Sequence, residues 1–284
     1  MPSLKPLWLS IGPLSEQLAR SSSLHLGLDF DGTLTDLLPD PQSCQLAGRA
    51  REVLHRLSGR DQLHLAFFSS RTLEDLRGRV GLERAFYAGS SGLETRSELG
   101  RYETHAGPMT SLPPALVRDL TDWCQRFPGA RLELRPGSCA LHFNAVAVAL
   151  QPAFGAGIRR RLRPHQPQVN LIHGRAKFEV VPATAWDKAA ALEYWLSSAP
   201  ETTLLLYFGD DTRDEPVHAS VRRRAGIAIA VDRVVSRAEY VLPTPADVIW
   251  FLEWLDREWA QRGARPTAPD PRIRAGAPIE KART

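Results

Sequence analysis

The sequence of 284 residues predicts an α/β fold, a doubly wound parallel sheet interrupted by an inserted α+β domain. Short apolar runs ending in turn residues recur along the chain: "LHLGLDF", "LHLAFFSS", "AFYAG", "TLLLYFGDD" and "AGIAIAV". They read as strands buried on both faces. Amphipathic segments separate them, and strand, helix, strand in succession implies parallel pairing. Near the middle the pattern changes to alternating strands around tight turns, which marks an antiparallel unit of its own.

In chain order, residues 1–23 predict an N-terminal extension, helical over "LWLSIGPLSEQLAR". Its mixed polarity and proline are unlike a secretory leader, so no export is expected. After the first strand, "CQLAGRAREVLHRLS" places Leu46, Ala50, Val53, Leu54 and Leu57 at the spacing of an amphipathic helix. The core is expected over 24–106 and 181–260, with the insert over 107–180. Within the insert "LPPALVRDLTDWCQRF" predicts a helix, and "ARLELRPGSCALHFNAVAV" predicts two strands joined by a Pro-Gly-Ser turn. A second helix follows in "AFGAGIRRRLRP", then another alternating pair in "VNLIHGRAKFEVVP". Lys188 in "WDKAAALEYW" begins the helix before the strand "TLLLYFGDD".

Composition narrows the function classes. The chain is 43% hydrophobic and 24% charged, with no apolar run long enough to cross a bilayer. Cys44, Cys124 and Cys139 are odd in number and lack CxxC spacing, which argues against a disulfide framework or zinc site and for a reducing cytoplasm. The formal charge of +4 resides entirely in residues 261–284, a proline-rich stretch expected to be a disordered basic tail. The body is neutral, so neither a nucleic-acid nor a membrane partner is expected.

The chemistry-bearing residues gather at strand ends. "LDFDGTLTDL" sets Asp29 and Asp31 two positions apart, so both can face one reacting centre, and Gly32 lets the chain turn behind them. Ser69 ends the second strand, and "GDDTRDE" supplies Asp210, Asp211, Asp214 and Glu215 after a later one. In an open parallel sheet these ends share one crevice. Carboxylates so crowded stay ionised only beside a cation, and hard oxygen donors suit magnesium, which in turn invites phosphate. Alone, an Asp-Gly pair is a turn and a lone Ser or Lys a cap or surface group. A turn or a cap gives no reason for the four segments to occur together. Neither a GxSxG elbow nor a GxxxxGK[ST] loop occurs.

"DFDGTLT", the strand-end Ser69, Lys188 after the insert and "GDDxxDE" together resemble the four signature segments of the haloacid dehalogenase superfamily, whose core is Rossmann-like and whose insert is a cap. The resemblance implies that Asp29 is the nucleophile forming an aspartyl-phosphate. Asp31 would protonate the leaving alcohol and then activate water. Asp29, the Asp31 backbone carbonyl and Asp210 would hold Mg2+, with Asp214 supporting a bound water, while Ser69 and Lys188 would bind phosphoryl oxygens.

Within that superfamily, "LDFDGTLT", "AGSSGLETR", "LELRPGSCALHF", "HGRAKFEVVPATAWDKAAAL" and "YFGDDTRDE" are similar to trehalose-6-phosphate phosphatases, over residues 24 to 257. The resemblance implies Mg2+-dependent hydrolysis of trehalose 6-phosphate in the last step of trehalose synthesis, in association with a trehalose-6-phosphate synthase. Sugar and phosphate contacts would fall to Arg71, Glu133, Arg135, His142, Arg175, Glu179 and Asp211. Ser70, Ser91, Asn144, Val181 and Arg213 depart from the family pattern, so another sugar phosphate, or binding without turnover, stands as the alternative.

Overall fold

In the computed structural model residues 4–262 are described, apart from 39, 106–111, 136, 175–176, 184–185, 201–202 and 234. The short strand β1 (Lys5–Pro6) leads into α1 (Ile11–Arg20), β2 (Ser23–Asp29), α2 (Gly48–Ser58), β3 (Leu63–Phe68), α3 (Leu73–Val80) and β4 (Phe86–Gly89). Two edge strands follow, β5 (Glu94–Arg96) and β6 (Tyr102–Thr104). Next come α4 (Pro114–Gln125), β7 (Arg131–Arg135), β8 (Ser138–His142), α5 (Gln151–Leu162), β9 (Val169–His173) and β10 (Lys177–Pro182). The chain returns through α6 (Lys188–Trp195), β11 (Thr203–Gly209), α7 (Glu215–Arg223), β12 (Ile227–Val231), β13 (Tyr240–Leu242) and α8 (Pro245–Gln261).

The large sheet has the order β1-β13-β12-β11-β2-β3-β4-β5-β6. Every pairing from β1 to β4 is parallel, and β5 and β6 close one edge antiparallel. The strand order reverses beside β2, so the crevice at the carboxyl ends of β2 and β11 is where a ligand site is expected. Residues 1–23 are more than an appended helix, because β1 pairs with β13 and its Pro6 tolerates an edge position where no ladder donor is needed. Of the expected helix over 44–58, only Gly48 onward is helical, but Leu46 is buried all the same.

Side-chain alternation along the strands fills two layers. Leu24, Leu26 and Leu28 of β2 pack into the core formed with α1, α2, α3 and α8. Ala66, Phe68, Leu205 and Tyr207 point the other way into the layer with α6 and α7. A separate four-stranded antiparallel sheet, β7-β8-β10-β9, packs Cys139, Leu141, Phe178 and Val180 against α4 and α5. Residues 131, 133 and 135 of β7 and 177 and 179 of β10 alternate with that packed set, which leaves Glu133, Arg135, Lys177 and Glu179 for the face turned to the large sheet.

Candidate active site

Asp29 ends β2 in register with Phe68, and Leu28 in register with Phe208, so Ser69 and Asp210 emerge beside Asp29. Lys188, the first residue of α6, completes the group. The Asp187 side chain caps α6 by accepting from Ala190 N at 2.9 Å, and Gly92 allows the close approach that sets the helix start. Gly92 has φ +100, and a Cβ there would lie 2.5 Å from the Asp187 carbonyl oxygen.

Lys188 is 3% exposed and donates from Nζ to Asp29 Oδ1 at 2.5 Å and to Asp214 Oδ1 at 2.8 Å. Tyr207 donates its hydroxyl to Asp214 Oδ1 at 2.7 Å, and the Asp211 backbone N–H donates to Asp214 Oδ2 at 3.0 Å. Burial pushes the Asp29 carboxyl up, against the pull of Lys188, to about 7. Burial, then Asp29 and Asp214, push Asp210 well above its ordinary value. Burial also works on Asp214, but Lys188, His218 and the Tyr207 hydroxyl outweigh it and hold that carboxyl low.

Asp29, Asp210 and Asp214 offer oxygens that all lie within 4.8 Å of one another. Asp210 Oδ1 is buried with no hydrogen-bond partner, so it is a hard donor awaiting a cation. This donor set fits a divalent ion. Gly32, at φ +84, makes room for it, since a Cβ would sit 2.1 Å from Asp210 Oδ2.

Arg71 grips Asp31 through both ends of its guanidinium, Nε to Oδ2 at 2.8 Å and Nη2 to Oδ1 at 2.6 Å, and donates to Asp75 at 2.8 Å. Ser69 is buried, and its hydroxyl accepts from Arg71 N at 3.1 Å. The Ser69–Arg71 loop is clasped by Ser90 and Ser91, both left-handed at φ 49 and 59, whose N–H groups donate to the Arg71 and Ser69 carbonyls at 2.6 and 2.9 Å. Such strain in residues other than glycine collects at functional sites.

The smaller sheet covers this floor, and between them lies a cavity of about 980 Å³. Asp29, Asp31 and Asp210 line it from below, Glu133, Arg135 and His142 from above. Glu133 accepts from Arg135 Nε at 3.0 Å and pairs with His142 Nε2 at 2.7 Å; that hydrogen bond, then Arg135, holds its carboxyl well below the usual range. Ala140 separates Glu133 from Glu179 across the sheet, and its small side chain lets Arg135 reach both. Asp211 caps the 3-10 turn Thr212–Asp214 and lines the same cavity. Arg175 lies outside the described residues.

A doubly wound sheet with aspartates and a buried lysine at its switch point, roofed by an inserted sheet, defines a capped phosphohydrolase of the haloacid dehalogenase type, a phosphoric monoester hydrolase. The family model for trehalose-phosphatase matches residues 27–243. A trehalose-phosphate phosphatase of Mycobacterium tuberculosis is 30% identical over 277 residues, 93% of this chain and 68% of that protein. A probable trehalose-phosphate phosphatase of Oryza sativa is 27% identical over 257 residues, 87% of this chain and 69% of its own. Among solved structures, the C-terminal domain of a Candida albicans trehalose-6-phosphate phosphatase superposes with a TM-score of 0.80 at 17% identity, over 90% of this chain and 99% of that one. The C-terminal domain of the C. albicans trehalose synthase regulatory protein shares the fold at a TM-score of 0.67 and 12% identity, over 84% of this chain and 97% of that one. The chain belongs to the trehalose-phosphatase family.

Three side chains of the site were not singled out from the sequence as working groups. Tyr207 sits inside an apolar run and reads as core, although a fully buried tyrosine needs a hydroxyl partner. Lys177 reads as a solvated strand charge but contacts Glu179 at 2.9 Å. Arg213 registers only as a departure from the family pattern, yet it is buried between the two sheets.

Proposed function

We propose that this chain hydrolyses trehalose 6-phosphate to trehalose and inorganic phosphate, with Mg2+, through a phosphorylated Asp29. The observation that carries the reading is Lys188 clamped between Asp29 and Asp214 beside an unpartnered Asp210 oxygen, in a chain of this family. Asp29, Asp210 and the Asp31 carbonyl would hold the ion, with Asp214 supporting it; the ion, when bound, offsets the carboxylates and the incoming phosphate charge.

Lys188 holds Asp29 Oδ1, which orients the other oxygen, Oδ2, for attack on phosphorus. For this step Asp31 would enter protonated, giving up one of its two bonds from Arg71, and would pass that proton to the sugar oxygen as the bond from phosphorus breaks. Asp31 then takes a proton from water, the resulting hydroxide attacks phosphorus, and the bond to Asp29 breaks to release phosphate. Ser69 and Lys188 bind the phosphoryl oxygens, and Arg71 fixes Asp31 in place. Glu133, Arg135 and His142 of the cap meet the sugar hydroxyls, because a site built for hydroxyls rejects analogues that lack them.

We take residues 24–106 and 183–260, together with β1 and α1, as the catalytic core and 107–182 as the cap, because β10 pairs with β9 as far as Pro182. We place the enzyme in the reducing cytoplasm, since its three cysteines are free and buried and no described helix could cross a membrane. It would work downstream of the synthase that makes its substrate. The test is phosphate release from trehalose 6-phosphate, glucose 6-phosphate, sucrose 6-phosphate and p-nitrophenyl phosphate with MgCl2, beside the Asp29→Asn variant. Preference for trehalose 6-phosphate, lost in the variant, is expected. Preference for another sugar ester would move the substrate assignment, and no turnover of any ester would overturn the enzymatic reading of the site.

A further inference from the structure

Arg213 joins the two halves of the site. It leaves the turn between Asp210 and Asp214, and its side chain is 8% exposed. Nη1 donates to Glu179 Oε2 on the cap strand β10 and to Ser91 Oγ at 3.4 Å, and Nη2 donates to Asp211 Oδ2 at 3.1 Å. Nε is buried with no hydrogen-bond partner.

Glu179 is saturated. Its Oε1 accepts from Arg135 at 3.1 Å and from Lys177 at 2.9 Å, while Oε2 belongs to Arg213. Burial pushes this carboxyl up, but Arg213, Lys177 and Arg135 prevail. Among the described residues, Arg213 is the only one of these cations that belongs to the core; Arg135 and Lys177 are on the cap itself. Arg135 adds a second tie, Nη1 to the Ser70 carbonyl at 3.3 Å. Arg135 and Arg213 both border the 980 Å³ cavity and a second chamber of about 370 Å³. Their bridge through Glu179 stands between the two spaces.

Breaking a buried ion pair from one side usually strands the other charge. Here the loss of Arg213 leaves Glu179 with two cap cations, so the cap network survives and the joint to the core is what is cut. Without that joint, the cap that carries Glu133, Arg135 and His142 is tied to the core by weaker contacts, Arg135 to the Ser70 carbonyl and Thr212 Oγ1 to the His173 carbonyl at 3.0 Å, and displacement by about 1 Å can cost 100-fold in rate.

We propose that Arg213 is a positioning residue: by tying Glu179 to the loop that bears Asp210 and Asp214, it fixes the cap where its polar side chains meet the sugar of a bound phosphate ester. It thereby sets the discrimination between sugar esters and esters without a sugar. The proposal rests on the sugar-phosphate reading given above. Binding energy from the remote part of a substrate is used at the reacting centre, so an ester lacking that part gains little from a fixed cap.

The experiment compares the whole protein with Arg213→Thr, Arg213→Lys and Glu179→Gln. Arg213→Thr is expected to lose at least tenfold more kcat/KM on trehalose 6-phosphate than on p-nitrophenyl phosphate, with kcat on the sugar ester falling as well as KM rising. Arg213→Lys recovers part of the loss. Glu179→Gln cuts the same joint from the cap side and also strips Arg135 and Lys177 of their carboxylate, so the double variant is expected to lose less than the product of the two separate losses. Equal loss on both esters, or none on either, overturns the proposal. Independently of turnover, spin labels at Glu52→Cys on α2 and Arg160→Cys on α5, both exposed positions, report the distance from core to cap. A narrow distribution that broadens in Arg213→Thr, or in Glu179→Gln if the first variant does not fold, supports the joint. An unchanged distribution overturns it, even if the wild-type protein turns over a different sugar ester.

Discussion

Replacing Lys188 by methionine removes one ammonium while keeping most of the side-chain volume, so its effect isolates charge. The ammonium lies 2.5 Å from Asp29 and 2.8 Å from Asp214, both buried. Removing one partner of a buried pair costs about 3–5 kcal/mol, because the remaining charge is left without compensation. For a chain of this size that is a fall in Tm of roughly 6–20 °C. The deficit has a defined pH dependence. Lys188 is a cause that lowers the Asp29 pKa, so its loss raises that pKa beyond about 7, against 3.8 in the ordinary carboxyl. The folded variant then holds a proton that the unfolded chain has released, so its stability falls as pH rises toward the folded pKa and recovers as pH drops toward 4. Urea unfolding of wild type and Lys188→Met at pH 8 and pH 4.5, without divalent ions, measures this. Wild-type Asp29 also keeps its proton below about 7, so the two proteins part only above that pH, and the deficit is expected to be about 1 kcal/mol larger at pH 8 than at pH 4.5. A deficit below about 1 kcal/mol at pH 8, the scale of an exposed pair, or one independent of pH, would refute the reasoning.

Two further substitutions probe parts of the fold on which the site depends. Gly32→Ala puts a Cβ into the Asp210 carboxylate at a φ of +84, so a backbone cost of about 1–2 kcal/mol is expected together with at least a tenfold rise in the Mg2+ concentration for half-maximal activity. A metal titration unchanged from wild type would sink that account of Gly32. At the opposite end of β2, His25 stacks on His64 with ring centroids 4.5 Å apart, and its Nδ1 is buried without a partner. Burial, then the His64 charge, lower its pKa from 6.5 to about 4. Here the unfolded chain takes the proton that the folded one refuses, so this stability is complete above pH 6.5 and is lost as pH falls toward 4, by up to roughly 3 kcal/mol. His25→Phe is expected to flatten the decline between pH 6.5 and 4.5 in thermal melts. An equally steep decline in the variant would assign it to other groups.

The strands of the core were legible because each is a run of four to seven residues buried on both faces. The order of Asp29, Ser69, Lys188 and Asp210 along the chain was legible because the crevice of a doubly wound sheet collects strand ends. What escaped has physical reasons. β1, β5, β6 and β13 have two or three residues each, too few for a period to show, and only pairing defines them. The left-handed Ser90 and Ser91 carry no glycine to announce them. Tyr207 hides in an apolar run that its ring satisfies, while its hydroxyl serves Asp214. The meeting of Arg213 with Glu179 depends on how the cap lies on the core, which no spacing within either sheet expresses.

The arithmetic of charge on the cavity floor ties these observations together. Arg71 and Arg79 share Asp31 and Asp75, two cations for two carboxylates, so that side of the floor is balanced by the protein alone. On the other side, among the described residues, Asp29, Asp210 and Asp214 meet one cation at contact distance, Lys188, which leaves a deficit of two charges. One divalent ion cancels that deficit and a monovalent ion does not. The raised pKa values of Asp29 and Asp210 are the same statement from the proton's side, since protons are the cations that neutralise the group in the absence of a metal. A bound divalent ion would favour the carboxylate form of Asp29 that the proposed attack on phosphorus requires, with Lys188 left to hold the geometry.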